Sequence, residues 1–176
     1  GVLALQGDFE DHMKMLRSLG VSVREVRRAD DLTGLRGLVI PGGESSVMLR
    51  LLDERGLRPA LLAQVDQGMA VMGTCAGAIL LAREAAPSPG QPLALMDLTV
   101  RRNDYGRQIE SFVTSVTVPC LGEAPLGAVF IRAPRIVRTG LALAAAAVLL
   151  AALLIIGLFL GALLELSITA ILVTLF

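Results

Sequence analysis

Apolar positions in the first half of the chain fall in short blocks separated by polar stretches of helical period. Val2 to Leu5 is a buried-strand block closed by Gln6-Gly7. Asp8 is placed to cap a helix from about Phe9 to Leu19, in which Met13, Leu16 and Leu19 form an apolar stripe and Gly20 supplies the stop. Val21 to Val26 alternates as a second strand, and Leu38-Val39-Ile40 is a third, ending in Pro41-Gly42-Gly43-Glu44-Ser45-Ser46. A helix carrying Met48, Leu51 and Leu52 follows, then another near Pro59 to Gln67. Ala70 to Met72 reads as the buried end of a fourth strand, and Ala76 to Glu84 as a helix. Strands alternating with helices predict an α/β fold with a three-layer, doubly wound, mainly parallel sheet, whose ligands bind at the carboxyl ends of the strands.

Past Glu84 the pattern changes twice. Ala85 to Pro92 is a Pro/Ala/Ser/Gly loop, and the chain then turns β-rich: Leu98 to Val100, Val113 to Val118 and Val129 to Ile131 read as strands, with Arg101 to Gln108 joining the first two. From Leu141 to Leu164 there is no charged or polar side chain, and the apolar run resumes after Glu165. Residues 1–138 and 139–176 are therefore treated as separate units. The mean hydropathy of +0.68 owes its excess to the second. A chain of 176 residues has room for one domain with a proper core. Sixteen Lys+Arg balance sixteen Asp+Glu, so no basic field attracts nucleic acid. Two cysteines and no signal peptide at the start predict a reducing cytoplasm.

The chemistry concentrates at Met72-Gly73-Thr74-Cys75-Ala76-Gly77-Ala78, where a strand gives way to a helix. G-x-C-x-G is the thiol form of a nucleophile elbow, in which flanking glycines are needed because a Cβ would strike neighbouring backbone. A thiol with a free pKa of about 8.5 is expected to favour thiolate at a helix N-terminus, and the Ala76 amide is placed to bond an oxyanion beside the sulfur. The alternative is a buried structural cysteine. Gly42-Gly43 at the preceding strand end let backbone approach a ligand, so that one amide completes an oxyanion hole with Ala76 while Ser45 bonds a polar group. The alternative there is a Pro-Gly turn with a serine cap. Arg101, Arg102, Arg107 and Arg132 either grip a carboxylate or pair with acids such as Asp97 and Glu110.

LALQGDFEDH, PGGESS, GTCAGAILLA, VRRNDYGRQIESF and VFIRAP occur in the order and spacing of one family. Over about residues 1–136 the chain resembles the glutaminase subunits of pyridoxal 5′-phosphate synthase, which are triad-type class I glutamine amidotransferases. The resemblance implies that Cys75 attacks the side-chain amide of L-glutamine, forming a thioester and releasing ammonia. It implies a glutamine site made of Gly43, Glu44 and Ser45, of Arg102, and of Ile131 and Arg132, with Gly43 and Ala76 at the oxyanion. It also implies a synthase subunit as partner in a hetero-oligomer, and no metal. Pyridoxal phosphate is the pathway's product, so no bound cofactor is expected.

Past VFIRAP the family continues into further strands and an S-F-H-P-E-L segment whose His and Glu complete the triad, and no such segment is found here. Here the only histidine is His12. It matches a non-catalytic family position on the first helix, beside a different strand end, so impaired turnover is expected. Two other readings stand beside glutaminase: a non-catalytic module that binds glutamine or docks on the synthase, and a membrane-tethered cysteine protein. At about 1.5 Å per residue, residues 141–164 are long enough to cross a hydrocarbon core of about 30 Å, with Arg132, Arg135 and Arg138 as a cytoplasmic flank. The competing account makes residues 139–176 a frameshift, fusion or mis-assembly product.

Overall fold

The computed structural model describes residues 1–117 and 124–140. β1 (Val2–Leu3), β2 (Glu25–Val26), β3 (Gly37–Ile40) and β4 (Ala70–Gly73) pair in parallel in the order β2-β1-β3-β4. Successive strand residues face opposite sides. Leu3, Leu38 and Ile40 therefore pack in one cluster with Met48, Leu49 and Leu52 of α2 (Ser45–Glu54) and Leu57 and Leu61 of α3 (Leu57–Asp66). Val2 and Val39 point the other way and pack with Met13 of α1 (Phe9–Ser18). The result is helix, sheet, helix, as the alternation predicts. Most of the burial lies on the α2/α3 side, where Leu52, Leu57 and Leu61 are fully buried. Each such leucine contributes about 1.5–3 kcal/mol relative to exposure.

The strand order is doubly wound, since the chain steps outward from β1 to β2 and then crosses back to β3 and β4. The reversal lies between β1 and β3, so a crevice opens at their carboxyl ends. α4 (Ala76–Leu81), buried at every residue, leads from β4 into a second sheet of β5 (Ala82–Ala86), β6 (Met96–Arg101) and β9 (Arg135–Thr139). There β5 and β6 run parallel, and β9 is antiparallel to β6. β7 (Phe112–Val116) and β8 (Leu126–Phe130) form an antiparallel pair, with Phe112 stacked on Phe130 at 4.7 Å.

Several expectations need correction. The strand expected over Val21–Val26 is only Glu25–Val26, because β1 offers just Val2 and Leu3 as partners. Leu19 lies beyond the end of α1 and is 47% exposed, so it does not belong to the stripe. Asp8 holds the cap position without a side-chain cap bond. The helix expected to reach Glu84 stops at Leu81, because Ala82 and Glu84–Ala86 pair with β6 and that sheet contact overrides the helical preference of Ala-Arg-Glu. Arg135 and Arg138 are not a loose basic flank. Arg135 in β9 pairs with Asp104, and Arg138 donates to Asp97 at 3.0 Å. Cys120, the end of the strand expected to reach Val118, and the membrane span expected over 141–164 lie outside the described residues. Among the described residues no helix is long and apolar enough to cross a membrane.

Candidate active site

Three strand ends converge at the crevice. After β1, Gln6-Gly7 packs on the loop that follows β3: Asp8 N–H donates to the Gly42 carbonyl at 3.0 Å, and Glu44 N–H donates to Gln6 Oε1 at 2.8 Å. Gly7, at φ +96°, lies so close that a Cβ there would be 1.9 Å from the Gly42 oxygen. After β4, Thr74 N–H donates to the Ile40 carbonyl at 3.0 Å, which ties the third end to the second.

Cys75 sits at φ 48°, ψ −105°, a conformation that costs a non-glycine residue about 1–3 kcal/mol and persists only where its surroundings impose it. Here Gly77 N–H donates to the Thr74 carbonyl at 2.8 Å, and Ala78 N–H to the Cys75 carbonyl at 3.1 Å. A Cβ on Gly73 would lie 2.5 Å from the Gly77 carbonyl carbon, and one on Gly77 would lie 2.0 Å from the Ile40 oxygen. These collisions account for both glycines of the motif. The elbow is built as the sequence predicts.

A cleft of about 360 Å³ opens over the sulfur, and its lining includes Gly43, Glu44, Ser45, Cys75, Arg102, Ile131 and Arg132. The glutamine-site residues named from the resemblance thus meet in one place. Gln6, Ile79, Asn103 and Gln108 also line it and were missed from sequence. Gln6 was within reach of the strand-end rule that singled out PGGESS, because it follows a buried strand and precedes a glycine. A larger hollow of about 590 Å³ lies at the opposite ends of the strands, around Gly1, Gly37 and Ala70, and its lining contains no cysteine.

Arg101, Arg102 and Arg107 pair with acids, and Arg132 lines the cleft. Arg102, with only 13% of its side chain exposed, donates through Nη2 to Glu44 Oε1 at 3.1 Å and to Ser46 Oγ at 3.2 Å. Arg101 pairs with Asp104 and Arg107 with Glu110, both at 3.5 Å. Arg132 takes φ 45° and lines the cleft, where its charge favours the thiolate of Cys75. Ser45 is the first residue of α2 and does not cap it; Glu44 does, its carboxylate accepting from Ser46 N–H at 3.4 Å. His12 also departs from expectation. Its Nε2 lies 3.1 Å from Thr74 Oγ1, one residue from the nucleophile. Among the described residues no cluster of His, Cys, Asp or Glu is arranged to hold a metal ion.

The expected thiolate is not favoured. Burial pushes the Cys75 thiol above its ordinary pKa, and the Glu44 charge adds to the rise. The Ala76 amide bonded to the sulfur and the Arg132 charge act in the opposite direction without prevailing. A helix of only six residues has a weak dipole to oppose desolvation. A raised pKa leaves less thiolate at a given pH than an ordinary thiol carries. Alkylation of Cys75 by iodoacetamide should therefore still be accelerating above the free-thiol value of about 8.5. A pH–rate profile already flat at neutral pH would show that the cleft stabilises the anion.

Residues 2–162 match the SNO glutamine amidotransferase family. The chain is 54% identical over 154 residues to the pyridoxal 5′-phosphate synthase subunit PdxT of Deinococcus radiodurans, covering 85% of this chain and 78% of that one. It is 46% identical over 140 residues to the PdxT of Thermotoga maritima, covering 80% and 74%. Its fold matches a crystal structure of a glutamine amidotransferase with a TM-score of 0.73 at 45% identity, over 80% of this chain and 75% of that one. With the elbow, the convergent strand ends and these matches in hand, the chain belongs to the SNO glutamine amidotransferase family.

Proposed function

We propose that this chain is the glutaminase subunit of a pyridoxal 5′-phosphate synthase, working in the cytoplasm with Cys75 as nucleophile. The observation that carries the reading is the single cleft that gathers Cys75, at its strained elbow, with Gly43, Glu44, Ser45, Arg102, Ile131 and Arg132. The sulfur attacks the side-chain carboxamide carbon of L-glutamine. The oxygen takes negative charge and is held by the amides of Ala76 and Gly43. Collapse breaks the C–N bond and expels ammonia, the nitrogen taking the proton that the thiol gave up. Water then cleaves the thioester to glutamate and restores the thiol.

The remaining side chains orient the substrate. Arg132 meets its α-carboxylate, Glu44 its α-ammonium group, and Ile131 its methylenes. Arg102 braces Glu44 and Ser46 from below, which supports a positioning role for it and leaves the direct carboxylate contact to Arg132. Ammonia passes to the synthase subunit, the partner in a hetero-oligomer. No cofactor is required, since this hydrolysis uses only thiol, amide and water.

A glutamine-shaped chloroketone tests the proposal. It should alkylate Cys75 in preference to Cys120, and glutamine should protect. Arg132→Ala and Arg102→Ala should each weaken that protection by about 1.5–3 kcal/mol, the range for hydrogen bonds to charged groups. Labelling of Cys120 first, read by peptide mass spectrometry, or protection unaltered in both variants, would refute this assignment of the site.

A further inference from the structure

We infer that His12 is a positioning residue for the reaction at Cys75, acting through a hydrogen bond to Thr74 that ties the elbow to the first helix. The inference rests on Cys75 being the nucleophile. His12 Nδ1 lies 2.8 Å from the carbonyl oxygen of Asp8, one turn earlier in the chain. A carbonyl only accepts, so Nδ1 carries the proton, and in the neutral ring Nε2 is the acceptor. The hydroxyl of Thr74 therefore donates to Nε2, at 3.1 Å. The imidazole is held at both nitrogens, and its orientation leaves no choice of partner for the hydroxyl.

Thr74 is 1% exposed, and every polar group it owns is engaged. Its N–H donates to Ile40 and its carbonyl accepts from Gly77, so its main chain is fixed to β3 and to α4. The hydroxyl adds a third anchor, on α1. Three anchors on the residue before Cys75 fix the peptide plane that enters the elbow, and a positive-φ cysteine keeps its geometry only where neighbours over-determine it. The first two anchors are main-chain bonds, whereas the third needs the imidazole of His12 on α1. It spans 62 positions of sequence, so it also couples the packing of the first helix to the aim of the sulfur. The effect of His12 passes through Thr74.

The test compares Thr74→Val, which keeps the shape and removes the hydroxyl, with Thr74→Ser, which keeps the hydroxyl, and adds His12→Phe. Alkylation of Cys75 by the glutamine-shaped chloroketone should slow about tenfold in Thr74→Val and in His12→Phe, the loss of one buried hydrogen bond expressed at the elbow. Thr74→Ser should stay within about twofold of the parent, and the double variant should be no slower than the slower single, because both remove the same bond. The glutamine dissociation constant should be unmoved by Thr74→Val, which separates aim from binding. Equal slowing in Thr74→Val and Thr74→Ser, additive effects in the double variant, or a parental rate in Thr74→Val would each overturn the inference. If the parent itself is not labelled at Cys75, the nucleophile reading falls. The tether is then judged by the ring-nitrogen NMR shifts of His12, which Thr74→Val must change, and unchanged shifts would remove it too.

Discussion

Gly77→Ala should destabilise this protein by roughly 3 kcal/mol or more and abolish alkylation of Cys75, because the new methyl group has nowhere to go. Its carbon would lie 2.0 Å from the Ile40 oxygen and 2.8 Å from the Ile40 carbonyl carbon. Those atoms are main chain of a buried strand, so no rotamer change relieves the contact. Either β3 or α4 must move. The Ile40 oxygen is also the acceptor for Thr74 N–H, so the same displacement loosens the elbow from its strand. Gly127→Ala is the control, because a Cβ there meets nothing within 4 Å. It should change stability by less than about 0.5 kcal/mol. Denaturant unfolding checks both, with the midpoint shifted and the slope unchanged for Gly77→Ala. A parental midpoint would mean that α4 and β3 separate freely, and the steric account of the motif would be wrong.

The contrast between those glycines shows which features were legible in the chain. Gly73 and Gly77 stand out because their spacing about Cys75 has a steric cause that acts within a few residues. The core was readable for a similar reason: Val2, Leu3, Leu38, Val39 and Ile40 alternate between two faces, and period alone assigns them to opposite helix layers. The short reach of α4 was not readable, because Ala82-Arg83-Glu84 prefers helix and becomes strand only through pairing with β6, which lies downstream. The same limit hid β9, whose Arg135-Ile136-Val137-Arg138-Thr139 looks like the border of an apolar segment until Asp97, Thr99 and Asp104 are placed opposite its arginines.

Electrostatics at the site followed the same division. The helix start beside Cys75 could be located from sequence, but the sign of the shift could not. The sign depends on how far the sulfur is buried and on Glu44 and Arg132, which approach from distant parts of the chain. Arg102 was identified as a cleft residue, yet its carboxylate partner is Glu44 of the same site and neither Asp97 nor Glu110. Long-range partners decide whether a residue grips substrate or braces a neighbour. The strand-end rule could have placed Gln6 at the site, but its partner 38 positions away, and that of His12 62 positions away, could not be read from the sequence.

Ammonia release from glutamine by the 176-residue chain should run about 10²–10⁴-fold below that of a version whose residues after 138 are replaced by a family ending with the S-F-H-P-E-L segment, the usual worth of general acid–base catalysis. Two observations set that expectation. Burial raises the pKa of the Cys75 thiol, so attack calls for a base that takes the proton and returns it to the departing ammonia. The only histidine in these residues is His12, and its ring is committed to the Asp8 carbonyl and to Thr74. The elbow and oxyanion amides remain, so a slow residual rate is expected, as is a covalent adduct with the chloroketone, which needs no leaving amine to be protonated. Imidazole supplied from solution should restore part of the missing rate if proton transfer is what is lacking. A coupled glutamate dehydrogenase assay, run with the synthase subunit present and across an imidazole titration, decides the matter. Equal rates for the two versions, with no response to imidazole, would show that another group in these residues or in the partner serves Cys75 as its base.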